Sequence, residues 1–131
     1  MKFRHTIIYV EDVKATLNWY KDTFGFTVKF LHDSNMYGEL ATGETLLSFA
    51  SFAMAEMNLP GGYVAGNGPK PLGFEIALIT EDVQGAVDAA VEAGAALISI
   101  PEEKPWGQTV GYVRAPDGTV LEFGTPMDPQ D

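Results

Sequence analysis

Cysteine is absent from this chain, so neither a disulfide bond nor a thiolate metal ligand can contribute to its structure. Basic residues are also scarce: 8 lysines and arginines stand against 18 acidic residues, giving a formal net charge of −10 at pH 7. Phosphate binding requires clusters of lysine and arginine, so we expect no nucleic-acid partner. Acidic charge keeps a protein in solution, and it also attracts cationic ligands. Both interpretations of the charge stay open from sequence.

Long hydrophobic runs are missing as well. No stretch approaches the roughly 18 apolar residues that a membrane span needs, so we expect no membrane partner. The opening MKFRHTIIYVEDV has no long apolar core and turns acidic by Glu11, which argues against a secretory signal and for a cytoplasmic protein. A chain of 131 residues with 46% hydrophobic content can bury a core of its own. We therefore expect a single domain over residues 1–131.

The chain contains an internal repeat. The segment VEDVKATLNWYKDTFGFTV (10–28) resembles TEDVQGAVDAAVEAGAAL (80–97) after a shift of 70 residues. In both segments an apolar strand leads through Glu-Asp-Val into a helical pattern. Carried back into the preceding strands, the same shift sets His5 opposite Glu75.

A second match supports the first. At a shift of 74 residues, TLLSF (45–49) aligns with TVLEF (119–123), so that Ser48 falls opposite Glu122. Self-similarity at a fixed offset is the mark of a structural unit that is used more than once. The two halves are therefore predicted to share one supersecondary structure.

Each half is predicted to contain a strand, a helix and three more strands. The expected strands cover 3–10, 26–32, 36–41 and 45–50, then 73–79, 95–100, 109–114 and 119–124. Asp12 and Asp82 are predicted helix N-caps, and Gly25 and Gly94 follow the predicted helix ends. Apolar residues at helical spacing form the core-facing stripes: Val13, Leu17, Tyr20 and Phe24, then Val83, Val87, Ala90 and Val91.

These patterns predict an α+β fold of two βαβββ modules in tandem, each a curved mixed sheet with a helix on one face. Module one covers about 1–55 and module two about 73–126. The segment between them, about 56–72, is rich in glycine and proline and is expected to be a linker or a lid. The remaining apolar sheet faces must be covered by each other or by a second chain. We therefore expect a cleft enclosed by the two sheets, and a homodimer.

Side chains alternate along a strand, so His5 shares a face with Ile7 and Tyr9 and points away from the helix. Repeat symmetry then predicts that four positions converge on the cleft: His5, Ser48, Glu75 and Glu122. Two carboxylates in a partly dry cleft repel one another, and each also loses hydration. Another group must therefore offset the repulsion between the two carboxylates.

A divalent metal ion would offset the repulsion between the two carboxylates. One imidazole and two carboxylates, from His5, Glu75 and Glu122, suit Zn, Ni, Co, Mn or Fe(II). A cationic organic ligand, a shared proton or a hydrogen bond between His5 and a carboxylate are alternatives. So are ordinary structural roles, because a strand histidine is often only hydrogen-bonded and a strand glutamate often faces water.

The opening HTIIYVEDVKATLNWYKDTFGF, the ending GYVRAPDGTVLEFGTP and the two βαβββ halves resemble the vicinal oxygen chelate superfamily. This superfamily includes glyoxalase I, fosfomycin and bleomycin resistance proteins, and extradiol dioxygenases. The resemblance implies metal ligands on the first and last strands of each module, at His5, Ser48, Glu75 and Glu122. Three of these side chains are typical metal ligands.

The chain departs from the family pattern at two of those positions. Ser48 stands where a glyoxalase I would have a glutamate, and Glu75 stands where it would often have a histidine. The set also differs from the two histidines and one glutamate expected of the ring-cleaving dioxygenases. Glu39 and His32 are candidates to replace the missing ligand at Ser48.

The resemblance implies a metal-dependent lyase or isomerase that acts on a small substrate with two adjacent oxygens. Glu122 or Glu75 would be the general base and His5 a metal ligand. The alternative is a protein without catalytic activity that sequesters a cationic drug, as bleomycin resistance proteins do. Further predicted ligand contacts are Ser48, Trp106, Gln108 and Tyr63, with Tyr37 and Phe52 as additional stacking surfaces. A purely structural interaction module would leave the inward carboxylates unexplained.

Overall fold

The computed structural model describes residues 1–127, which fall into two compact units, residues 1–68 and the chain from Pro69 onward. The first unit contains β1 (His5–Val10), α1 (Val13–Phe24), β2 (Thr27–Leu31), β3 (Tyr37–Ala41), β4 (Leu46–Ser51) and α2 (Phe52–Asn58). The second unit contains β5 (Glu75–Ile79), α3 (Val83–Glu92), β6 (Ala96–Glu103), β7 (Thr109–Arg114) and β8 (Val120–Gly124). That both units form a single domain over 1–131 stays a prediction, and its last four residues, 128–131, lie outside the described residues.

Each unit has one mixed sheet of four strands. The strand order is β1-β4-β3-β2 in the first unit and β5-β8-β7-β6 in the second. The first and last strands of each unit pair in parallel, and the other neighbours are antiparallel. The predicted α+β class and the tandem βαβββ modules are therefore confirmed.

The helix boundaries follow local side-chain chemistry. Asp12 caps α1 by accepting a hydrogen bond from the Ala15 backbone N–H at 3.0 Å, and Asp82 caps α3 by accepting one from Gly85 at 2.9 Å. At the other end of α1, Gly25 has a φ of +77°, a left-handed conformation that glycine adopts without strain. The predicted caps are confirmed at all three positions.

Helix α2 was not expected. No helix was predicted for residues 52–55, and residues 56–58 belong to the predicted linker. It has only seven residues, too few for a helical periodicity to be visible in the sequence. Its local signal is Ser51, whose hydroxyl accepts a hydrogen bond from the Met54 backbone N–H at 3.2 Å. Among residues 1–127, no helix is both long and apolar enough to cross a membrane.

Two further expectations in the second unit were wrong. Strand β6 continues to Glu103 rather than ending at Ile100, although it contains Pro101. A proline is tolerated there because β6 is an edge strand, where one row of backbone N–H groups has no partner in the sheet. Val91, expected in the buried stripe of α3, is 41% exposed, because Val87 and Ala90 already occupy the face toward the sheet.

The helices pack closely on the sheets at two glycines. A Cβ atom at Gly38 would overlap the Cδ1 atom of Leu17, and one at Gly111 would lie 3.0 Å from Cγ2 of Val87. Leu17 and Val87 are buried residues of α1 and α3, and they correspond in the sequence repeat. Both units therefore use the same contact, in which a helix side chain rests on a glycine of the third strand.

We predict that Gly38→Ala destabilises the protein by about 1–3 kcal/mol, because the added methyl group must displace the buried Leu17 side chain. The measurement is the free energy of unfolding in a urea titration. Gly61→Ala is the control, since a Cβ atom there meets nothing within 4 Å and its backbone is not left-handed. Equal stability of the two variants would contradict this account of the contact.

Candidate functional site

The face of each sheet opposite its main helix carries the predicted site residues. In β1 the side chains of Ile8 and Val10 are buried, while His5 alternates with them toward the other face. Strand register reproduces the sequence correspondence between the halves. Ser48 pairs with Ile7, two residues after His5, and Glu122 pairs with Ala77, two residues after Glu75.

In the first unit, His5 belongs to a hydrogen-bonded network that crosses three strands. Its Nδ1 atom lies 2.7 Å from the Ser48 hydroxyl oxygen, and Ser48 is completely buried. The Tyr37 hydroxyl donates to Oε2 of Glu39 at 2.7 Å. The Arg4 guanidinium reaches the same oxygen at 3.4 Å. Glu39 is only 6% exposed, so these two donors stabilise a carboxylate that is almost removed from water.

This environment raises the pKa of Tyr37. Burial is the largest factor that raises the pKa of its hydroxyl, and the hydrogen bond to Glu39 raises it further. A hydrogen bond with Ser48 acts in the opposite direction. A neutral phenol that donates to a carboxylate is therefore the stable form of this pair.

The second unit contains two neighbouring carboxylates and one tyrosine. Tyr112 donates its hydroxyl proton to Oε1 of Glu122 at 2.8 Å. That hydrogen bond, together with burial and the charges of Glu122 and Glu75, raises the pKa of Tyr112 to about 12. The pKa of Glu75 is also raised, first by partial loss of hydration and then by the charge of Glu122. The second unit thus holds two like charges close together, with a hydrogen-bond donor for one of them.

In the two units, the carboxylate and the hydroxyl group of the cluster lie on opposite strands of the same strand pair. Glu39 of β3 pairs with Ser48 of β4, and Tyr112 of β7 pairs with Glu122 of β8. Each cross-strand pair therefore combines one carboxylate with one hydroxyl group, but on opposite strands. Glu39, a candidate to replace the ligand missing at Ser48, thus lies opposite Ser48 on the neighbouring strand, and its use as a ligand stays a prediction.

Sequence reasoning missed Arg4 and Tyr112, and it considered Tyr37 only as a stacking surface. The alternation of Tyr37 and Glu39 in β3 was the available signal, since residues two apart share a face of the sheet. His32, the other candidate to replace Ser48, lies in the β2–β3 turn, where its Nδ1 accepts a hydrogen bond from the Ser34 backbone N–H at 3.1 Å.

Trp106 and Gln108 lie in the turn between β6 and β7. The Trp106 indole donates to the Gln108 side-chain oxygen at 3.0 Å, and the Gln108 amide nitrogen donates to the Thr125 carbonyl at 3.0 Å. The Gln108 amide is thus engaged within the second unit. Trp106 is 59% exposed, so it does not cover the core. A ligand-binding role for either residue stays a prediction.

Tyr63 belongs to a cluster of three aromatic rings in the first unit. Its ring centroid lies 6.1 Å from that of Tyr9 and 6.1 Å from that of Phe52. All three side chains are partly exposed. The cluster offers an aromatic surface, and its use by a ligand also stays a prediction.

The predicted metal ligands are distributed over both units. His5 belongs to the first, and Glu75 and Glu122 belong to the second. Across residues 1–127 no three histidine, aspartate, glutamate or cysteine side chains are gathered closely enough to form a metal-binding group. The combination of the three predicted ligands in one site therefore stays a prediction.

The family model described as Glyoxalase/Bleomycin resistance protein/Dioxygenase superfamily matches residues 2–123. The chain belongs to this superfamily. The resemblance drawn from the opening and closing motifs is thereby confirmed, and the match includes His5, Ser48, Glu75 and Glu122.

Similar proteins span nearly the same length. The uncharacterized protein YwbC of Bacillus subtilis (strain 168) is 30% identical over 123 residues, which cover 91% of this chain and 93% of that protein. The uncharacterized protein YraH of the same organism is 28% identical over 131 residues, covering 94% and 97%. A glyoxalase-related enzyme from Fulvimarina pelagi shares the fold with a TM-score of 0.81 at 19% identity, covering 98% of this chain and 94% of that chain.

We predict that Glu75→Gln stabilises the protein slightly at pH 7. A carboxyl group whose pKa is raised on folding binds protons more tightly in the native state, so stability falls as pH rises through the folded pKa. The gain should stay below about 1 kcal/mol because Glu75 is exposed and its charge is screened by water. The measurement is the unfolding free energy of both proteins at pH 4 and pH 7.

The control is Glu103→Gln, which removes an exposed carboxylate from β6 in the same unit. The difference in unfolding free energy between wild type and Glu75→Gln should shrink as the pH falls, because a protonated Glu75 carries no charge to repel Glu122. A difference that grew toward low pH would show that the repulsion between the two carboxylates does not act on stability.

Proposed function

We propose that the protein binds a divalent metal ion through His5, Glu75 and Glu122, and that it acts as a lyase or isomerase on a small substrate with two adjacent oxygens. The observation that carries this proposal is the pair of carboxylates in the second unit. Partial loss of hydration, and after it the negative charge of Glu122, raise the pKa of Glu75, so a dication would relieve a repulsion that the protein alone leaves in place.

The chemistry of the donors fits such an ion. The hydrogen-bond contacts of His5 are made through Nδ1, so Nε2 is the ring nitrogen that remains for a cation. Tyr112 occupies Oε1 of Glu122 and leaves Oε2 for a second interaction. One imidazole nitrogen and carboxylate oxygens are suitable ligands for Zn, Ni, Co, Mn or Fe(II).

Within this proposal the two glutamates have different roles. Lewis-acid stabilisation of negative charge on the substrate oxygens is what a bound divalent ion supplies in such chemistry. Glu122 is held in place by its hydrogen bond with Tyr112 and is the fixed ligand. Glu75 is exposed and has a raised pKa, both of which suit a ligand that also serves as the general base. Its carboxylate would take a proton from one substrate carbon and return it to the neighbouring carbon.

A second candidate function is sequestration of a cationic aromatic molecule without catalysis. The partly exposed rings of Tyr9, Phe52 and Tyr63 favour it, since adjacent rings bind planar or cationic ligands. The net charge of −10 would attract such a ligand. In either case the partner is a small molecule, and we propose that the protein acts as a homodimer.

The test is a calorimetric titration of metal-free protein with Zn²⁺, Ni²⁺ and Mn²⁺. We predict about one ion per chain for wild type, and a loss of affinity of about tenfold or more in His5→Ala and in Glu122→Gln, because each variant removes a ligand. Glu103→Gln removes an exposed carboxylate of the second unit and should bind as wild type does.

Absence of binding by wild type for all three ions would refute the proposed enzyme. The same protein would then be titrated with a cationic aromatic dye at low and high salt. Binding that weakens as salt is added would support sequestration, because screening reduces the attraction between the acidic protein and the cation.

A further inference from the structure

The Nδ1 atom of His5 is surrounded by three oxygen atoms from the two neighbouring strands. The Ser48 hydroxyl oxygen lies at 2.7 Å, the Tyr37 hydroxyl oxygen at 3.5 Å and Oε2 of Glu39 at 4.0 Å. The His5 side chain is 12% exposed, that of Glu39 is 8% exposed, and Ser48 is fully buried. Hydrogen bonds in this network must therefore be satisfied mainly by the protein, since little water can enter.

The carboxylate fixes the direction of the hydrogen bonds. Ionised Glu39, which has Arg4 as its counter-charge, can only accept, so the Tyr37 hydroxyl proton points to it. The Tyr37 oxygen, 3.5 Å from Nδ1 of His5, therefore presents only lone pairs to that nitrogen.

Two of the three oxygens around Nδ1, those of Tyr37 and Glu39, can therefore only accept from it. A proton on Nδ1 suits both, and the 2.7 Å contact is then a hydrogen bond from Nδ1–H to the Ser48 oxygen. Electrostatics favours the same arrangement. A carboxylate oxygen 4.0 Å from Nδ1 attracts an N–H group and repels a nitrogen lone pair.

We infer that the oxygen atoms of Ser48, Tyr37 and Glu39 hold the His5 ring in its Nδ1–H tautomer, with the Nε2 lone pair available to a ligand. Ser48, Tyr37 and Glu39 are thus positioning residues. The tautomer follows from the geometry of the first unit alone. Its use in metal binding rests on the proposed function, since a ligating histidine commonly donates its second ring N–H to a neighbouring oxygen.

The other histidine of the chain provides an internal reference. His32 accepts a hydrogen bond at Nδ1 from the Ser34 backbone N–H at 3.1 Å, so its neutral ring must carry the proton on Nε2. The Ser34 hydroxyl also lies 2.8 Å from that Nδ1. The two histidines, each with a serine beside Nδ1, are therefore expected in opposite tautomers.

The experiment is a long-range ¹H–¹⁵N correlation spectrum of ¹⁵N-labelled protein, free of metal, at about pH 8.5, where a histidine of ordinary pKa near 6.5 is neutral. In wild type we expect the Nδ1–H pattern for His5 and the Nε2–H pattern for His32. Ser48→Ala removes the acceptor of the Nδ1 proton, so His5 should gain a measurable Nε2–H population. Ser34→Ala is the matched control and should leave the His5 pattern unchanged.

Tyr37→Phe is the second variant, and it preserves the ring that packs beside His5. This variant removes one of the acceptor oxygens that face Nδ1, which again shifts His5 toward Nε2–H. An Nε2–H pattern for His5 in wild type would overturn the inference. So would a His5 pattern that stays unchanged in both Ser48→Ala and Tyr37→Phe.

Metal titration of the same variants separates this inference from the proposed function. If His5 is a ligand, Ser48→Ala should weaken metal binding by about 10- to 100-fold, as is typical when the partner of a ligating histidine is lost. Wild type that binds no metal but shows the Nδ1–H tautomer would refute the proposed enzyme and support the inferred tautomer of His5. Wild type that binds metal with His5 as Nε2–H in the metal-free protein would do the reverse.

Discussion

Parallel pairing of the first and last strands determines how each half of this protein is built. Two parallel neighbours cannot be joined by a tight turn, so the chain crosses over one face of the sheet as a helix and returns through two antiparallel strands. That helix covers one face of each sheet. Close packing on Gly38 and Gly111 brings it into contact with the third strand. The opposite face of each sheet carries the candidate site residues, among them His5, Glu75 and Glu122.

On those faces the two units satisfy similar polar groups in different ways. The first unit encloses its carboxylate, since Glu39 is nearly buried and is hydrogen-bonded by Tyr37 and Arg4. In the second unit Tyr112 donates a hydrogen bond to Glu122, whereas Glu75 is exposed and close to a like charge. A satisfied network favours a rigid, defined geometry, whereas an uncompensated pair favours binding of a cation or a proton. Under the proposed function, this difference corresponds to a positioning role for the first unit and a reactive role for the second.

The sequence predicted those features that depend on neighbours along the chain. Asp12 and Asp82 were recognisable as caps because a capping side chain bonds to a backbone group three residues away. The repeat correctly matched His5 with Glu75, since strand alternation is a local property. Helix α2 escaped prediction because two helical turns show no periodicity, and the length of β6 depends on its position at the edge of the sheet.

By itself, the sequence determined the α+β class, the repeated βαβββ unit and the superfamily, together with the face of each strand on which the ionisable residues lie. Only the tertiary structure decided their partners. Glu39 lies opposite Ser48, and Tyr112 lies opposite Glu122, because of the register of the antiparallel strands. A shift of one residue in that register would turn each side chain to the other face of its sheet. Register is set by the packing of whole strands against a helix and by the turns that join them, and no short stretch of sequence contains that information.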